Sequence, residues 1–155
     1  MKTNIICIGK LKENYLNEAN AEYSKRLKRF TELNIIEIQS EKIYENISQK
    51  EEDIIKNKEG EKIIEKSLKI KDTVFFPLFP YGKMLDSYEF ANLLEKNPKH
   101  TFIIGGTLGL SKDVLNIGKN ISFSKLTFSH QIMRMILLEQ IFRACKIVNN
   151  EKYHR

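Results

Sequence analysis

Short apolar runs alternate with longer stretches of helical spacing along most of the chain. Asn4 to Ile8 is a compact apolar run closed by Gly9, the pattern of a buried strand. From Asn14 the positions Leu16, Ala19, Ala21, Tyr23, Leu27 and Phe30 fit one face of a helix, with Lys25, Arg26, Lys28 and Arg29 outward. Asn34 to Gln39 predicts a second strand, and the polar stretch Glu41 to Asn46 a mobile connection. Ser48-Gln49-Lys50-Glu51 has the spacing of a capping box. It opens a helix through Ile54, Ile55, Ile63, Ile64 and Leu68, interrupted at Gly60, whose many Lys and Glu residues read as a solvated face. Asp72 to Phe79 predicts a third strand, Pro80 to Met84 a turn, and Ser87 the cap of a helix that stops before Pro98. His100 to Ile104 predicts a fourth strand, ending in Gly105-Gly106-Thr107-Leu108-Gly109. Ser111 caps a short helix, with Asp113 in its first turn, and a fifth strand leads into Ile121.

The stretch from Ile121 to Val148 is the most informative. Ile121 to Ser129 alternates small polar and apolar residues, as a strand end and ordered loop would. From His130 onward no Gly or Pro interrupts a helical pattern. One apolar row is Met133, Ile136, Leu137, Ile141, Ala144 and Val148; a second is Ile132, Met135, Leu138, Phe142 and Cys145. Two rows imply a helix buried on two sides, or one that packs on its own core and on a partner; the second row predicts a homodimer. Arg134 and Glu139 sit within this run, where a charge is costly unless paired or used. Strands alternating with helices make the fold class α/β, with a largely parallel sheet flanked by helices.

Composition narrows this picture. At 155 residues the chain has the length of one domain, residues 1–155. Net charge is +6, which favours an anionic partner without choosing among them. No apolar run spans a membrane, and the start enters a strand directly, without the form of a signal peptide. Cys7 and Cys145 lie in apolar surroundings far apart in sequence, as buried free thiols of a reducing cytosol do. A cytoplasmic protein with no membrane contact is expected.

Few motifs carry chemistry alone. Gly105-Gly106-x-x-Gly109 after a strand allows a tight turn or close backbone approach, but has neither the dinucleotide nor the P-loop spacing. Ligands of open α/β sheets sit beyond the carboxyl ends of strands, which here means Leu78, Gly105 and Phe123 onward. His100, His130 and His154 share no metal-ligand spacing, so no metal site is expected. No nucleophile elbow occurs. Tyr153-His154-Arg155 reads, on composition, as a frayed basic end contributing little to the fold.

Taken together, several segments resemble the ribosomal RNA large subunit methyltransferase H family. They are Phe102-Ile103-Ile104-Gly105-Gly106-x-x-Gly109-Leu110, Ser122 to Phe128, His130-Gln131-x-Met133-Arg134, Glu139-Gln140-x-x-Arg143-Ala144 and Tyr153-His154-Arg155. Ile8 to Lys12, Glu22-Tyr23-x-Lys25-Arg26-Leu27 and Lys58-Glu59-Gly60 extend the resemblance across the chain. It implies an S-adenosyl-L-methionine-dependent enzyme of the SPOUT class, with a C-terminal trefoil knot, working as a homodimer. It implies methylation of N3 of a pseudouridine in 23S rRNA of the assembled ribosome. The cofactor-binding residues it implies are Leu78, with Pro77 as competitor, Gly105, Phe123, Ser124, Lys125, Leu126, Thr127 and Phe128. Ser129 stands where the family has proline.

Methyl transfer from a sulfonium depends mostly on positioning, and the N3 proton must leave. His154 is the first candidate to accept that proton or orient the substrate, with Tyr153 and Arg155 beside it. Arg134 is a candidate to stabilise the nucleobase anion or bind phosphate, against a structural pairing with Glu139. Two alternatives use the same scaffold: a non-enzymatic ribosome-binding factor, and a tRNA methyltransferase. The intact cofactor loop speaks against the first; the absence of an extra RNA-binding domain and the Tyr153-His154-Arg155 ending speak against the second.

Overall fold

The structure, a computed structural model, describes residues 1–155. Five parallel strands form its sheet in the order β2-β1-β4-β3-β5: β1 (Lys2–Ile8), β2 (Glu32–Ile38), β3 (Val74–Met84), β4 (Lys99–Ile104) and β5 (Ile121–Ser122). The connecting helices are α1 (Asn14–Leu27), α2 (Gln49–Leu68), α3 (Ser87–Lys96), α4 (Lys112–Leu115) and α5 (His130–Val148). The α/β architecture of the sequence reading is the one observed.

Side chains alternate across the pleat and divide the core in two. Ile5 and Cys7 of β1, Phe102 and Ile104 of β4 and Phe76 of β3 join residues of α1, α3 and α5 in one cluster. Ile6, Ile8 and Ile103 point the other way and meet Ile63 of α2 and Val114 of α4. The two central strands are buried on both faces, hence their unbroken apolar runs. At the amino ends of the strands the core turns polar. Thr3 Oγ1 lies 2.9 Å from Thr31 Oγ1 and 2.8 Å from His100 Nε2, and His100 Nδ1 lies 2.8 Å from the Asn97 carbonyl. That carbonyl can only accept, so the proton of the neutral ring sits on Nδ1 and Nε2 accepts from Thr3. Burial depresses the His100 pKa, so this imidazole is a structural element.

Several local expectations need correction. The first helix ends at Leu27, so Phe30 lies beyond it in a turn. The capping box at Ser48 is half formed: Ser48 Oγ accepts the Glu51 amide at 3.2 Å, without a return bond from Glu51. The full box belongs to α3, where Asp86 rather than Ser87 is the cap and exchanges 2.8 Å bonds with Glu89. Gly60 does not interrupt α2. It lies inside the helix, where a Cβ would overlap the Ser111 hydroxyl. The expected turn at Pro80–Met84 is a continuation of β3, which shifts register between Leu78 and Lys83 and pairs with β5 at both. Gly82 permits this, since a Cβ there would stand 2.8 Å from the Asn120 carbonyl carbon.

The second apolar row of α5 is also corrected. Leu138, Phe142 and Cys145 are buried in the chain's own core, with Phe142 against Tyr23 and Phe30. They do not wait for a second copy. Apolar side chains that stay partly open on α5 are Ile132, Met133, Met135, Ile136, Ile147 and Val148.

Candidate active site

The carboxyl ends of β4 and β5 and the irregular middle of β3 converge on a cavity of about 530 Å³. Its walls come from three segments and Lys56 of α2: Leu78 to Pro80, Ile104 to Leu110, and Ile121 to Met133 except Lys125, Gln131 and Ile132. Leu78, Gly105, Phe123, Ser124, Leu126, Thr127 and Phe128 therefore share one cavity, whereas Lys125 is exposed and outside the lining. Pro77 is buried in the sheet and does not line it.

Backbone geometry shapes the cavity. The Gly109 amide donates to the Gly106 carbonyl at 3.1 Å, closing the glycine turn, and Gly109 takes a φ of +82°. A Cβ on Gly105 would stand 2.8 Å from the Gly109 carbonyl carbon, so the turn itself excludes a side chain there. Gly106 and Gly109 form an isolated antiparallel bridge, and the Thr107 amide donates to no backbone carbonyl. On the opposite wall Ser124 Oγ accepts the Leu126 amide at 2.9 Å. Ser122 Oγ lies within donating distance of the Ser124 carbonyl, 2.9 Å, and the Pro80 carbonyl, 3.1 Å, and tethers the loop to β3. Phe123 stacks edge-on to Phe90 of α3 with ring centroids 5.3 Å apart. Ser129 caps α5, accepting the Ile132 amide at 3.4 Å, so serine keeps the helix start defined.

His130 is a lining residue that spacing did not single out. Its ring lies against Gly9, where a Cβ would stand 3.1 Å from Cε1 and φ is +85°. Burial, with Lys12 and Arg134 nearby, holds its pKa down. Arg134 does not pair with Glu139. Its guanidinium is buried, bonds Glu37 of β2 at 2.9 Å and lies 3.5 Å from Cys7 Sγ. Both cysteines are free and buried, with pKa values pushed up by burial to about 11.

The tail is not frayed. Asn150, at φ +54°, turns the chain, and Glu151 bonds Arg29 and Lys146. Tyr153 then packs edge-on to Phe142 at 4.9 Å, and its hydroxyl donates to Glu139 Oε1 at 3.1 Å. Burial, with hydrogen bonds to Tyr23 and Glu139, pushes its pKa up to about 12. Arg143 bonds Glu139 at 2.6 Å and lies over the Tyr153 ring. His154 Nδ1 lies 3.2 Å from Arg143 Nη1, and its ring meets Tyr88 edge-on at 5.0 Å. A guanidinium can only donate, so Nδ1 accepts and the imidazole proton sits on Nε2. None of Tyr153, His154 and Arg155 lines the cavity of its own chain.

Comparison with known proteins gives this geometry a family. A family model described as "Predicted SPOUT methyltransferase" matches residues 1–154. The chain belongs to the SPOUT methyltransferase family. Full-length relatives named "Ribosomal RNA large subunit methyltransferase H" agree: those of Clostridium novyi (strain NT), Alkaliphilus oremlandii (strain OhILAs) and Clostridium beijerinckii are 50%, 49% and 47% identical, each alignment covering 100% of both chains. As a SPOUT methyltransferase the protein needs a methyl donor, and the cavity has the size and mixed lining of a small-molecule site.

Proposed function

We propose that this methyltransferase transfers a methyl group from S-adenosyl-L-methionine to 23S rRNA of the large ribosomal subunit, at N3 of a pseudouridine, on assembled ribosomes. The observation that carries the reading is the cavity at the strand ends, where most of the residues matching the family's cofactor motif meet. Full-length relatives that are named as large-subunit rRNA methyltransferases support the substrate class.

The residues fit the donor. Apolar walls at Leu78, Phe123 and Leu126 suit a purine, and the backbone of the lining loops can meet its polar edges without a charged side chain. When bound, the donor supplies an electrophilic methyl on a sulfonium. The turn Gly105 to Gly109 and the loop Phe123 to Phe128 hold it for in-line attack, so catalysis is chiefly orientation. His154 is the proposed substrate-orienting group. With Nδ1 occupied by Arg143, its Nε2–H is free to donate to a nucleobase carbonyl beside N3, which favours the anion formed when the N3 proton passes to water. Tyr153 holds this arrangement from below, and Arg155, exposed, is placed to meet phosphate. Arg134, with its charge matched by Glu37, joins α5 to β2 in this reading rather than touching RNA.

The tail and the cavity do not meet in one chain. A homodimer, with the tail of one protomer beside the cavity of its partner, would bring them together, and the open side chains Ile132 and Ile136 of α5 supply apolar surface for it. The C-terminal trefoil knot belongs to the same reading. Calorimetry with S-adenosyl-L-methionine tests it directly. Wild type binds; Gly105→Val, whose added branches collide with the Gly109 carbonyl, stays folded by circular dichroism and loses binding. Equal affinity in the variant would remove Gly105 from the site.

A further inference from the structure

Behind the glycine turn lies an acid that the proposed function leaves unused. Glu59, in the middle of α2, is 2% exposed. Its Oε2 accepts the Glu41 amide at 3.0 Å, while Oε1 is closed to solvent and has no partner. Both oxygens lie against Gly106: a Cβ there would stand 3.2 Å from Oε1 and 3.4 Å from Oε2. Gly106 also lines the cavity and bridges to Gly109, while the next amide, that of Thr107, donates to no backbone carbonyl. An acceptor without a donor thus abuts a turn that carries a donor without an acceptor. The neighbouring residue strengthens the contact, because Gly60 lacks the Cβ that would overlap Ser111 just past the same turn. The nearby charges do not satisfy Oε1. Lys62 bonds Glu41 at 2.8 Å, and Lys56, one turn earlier on α2, lines the cavity. A buried oxygen left unbonded destabilises the free protein, and a bond formed on ligand binding would remove that penalty.

We propose that Glu59 is a positioning residue for the methyl-donor site: its Oε1 receives the Thr107 amide when the donor binds, and so fixes the turn in its binding form. This rests on the reading of the cavity as an S-adenosyl-L-methionine site. Glu59 then costs the free protein stability and contributes it to the complex.

The test is Glu59→Gln, which keeps the shape and the bond from Glu41 but presents an NH₂ where the turn needs an acceptor. Thermal unfolding of the free variant should show a Tm equal to or above that of wild type, while calorimetry shows the Kd for S-adenosyl-L-methionine raised about tenfold. A wild-type Kd overturns the proposal. A joint fall in Tm and affinity also overturns it, because that marks a merely structural carboxylate. Failure of wild type to bind S-adenosyl-L-methionine would sink the proposed function itself, a separate outcome. If the variant does not fold, carbon-13 NMR of the Glu59 carboxyl in wild type decides. Its titration should move to lower pH on adding S-adenosyl-L-methionine, and an unchanged titration overturns the proposal.

Discussion

Glu139 accepts more hydrogen bonds than any other side chain near the tail. It accepts from Arg143, Tyr153 and Gln140, and this half-buried cluster fixes both the Tyr153 ring and, through Arg143, the His154 tautomer. Tyr153→Phe should lower stability by about 1–2 kcal/mol, roughly 3–6 °C in Tm, because it strips one hydrogen bond from a carboxylate. Deleting Tyr153 to Arg155 should cost more, since the ring on Phe142 goes too. A tail deletion with unchanged Tm in thermal unfolding would contradict this packing. The histidines give a pH signature. His100 is neutral and buried, with its pKa below the ordinary 6.5, so the unfolded chain binds the proton more readily. Its stabilising contribution is complete above pH 6.5 and is lost as pH falls from there through the folded pKa; His130, also depressed, acts in the same direction. Tm measured from pH 7.5 to 5 should fall with acid, and His100→Gln should flatten that fall while lowering Tm throughout. An equally steep fall in the variant would contradict the assignment.

At the scale of elements, α5 separates two roles that spacing merges. Leu138 is fully buried and packs on the chain's own core, whereas Ile132 is 40% exposed. Leu138→Asp should therefore unfold the protein. Ile132→Glu should leave it folded and shift the proposed dimer toward monomer in sedimentation; an unchanged dimer would place the interface elsewhere. Sequence periodicity showed that both rows of α5 are apolar, but not that α1 and α3 would cover the second, because those contacts join elements far apart along the chain. The same limit hid the Glu37 partner of Arg134. At Pro80-Tyr81-Gly82 the local turn signal was real, yet pairing with β5 overrode it. Asn150 reverses the chain through a positive φ that composition does not announce, so the tail read as loose. Where signals were local they sufficed. The strands β1 and β4 read directly as apolar runs, Ser111 as a helix cap, and the cavity loops as motifs at strand ends.

At the scale of the molecule, a parallel sheet brings the carboxyl ends of β4 and β5 beside the register shift of β3, and these segments make a cavity whose polar capacity is largely backbone. That arrangement suits a donor whose methyl needs orientation more than acid or base chemistry. The net charge of +6 gives an RNA partner a long-range attraction. The most direct measurement of the central claim supplies purified protein and S-adenosyl-L-methionine carrying a labelled methyl group to ribosomes that lack the modification. The 23S and 16S rRNA are then digested and analysed by mass spectrometry. The account predicts about one labelled methyl per ribosome, on a pseudouridine of 23S rRNA, and none with Gly105→Val. Unlabelled 23S rRNA, or label on 16S rRNA alone, would contradict it.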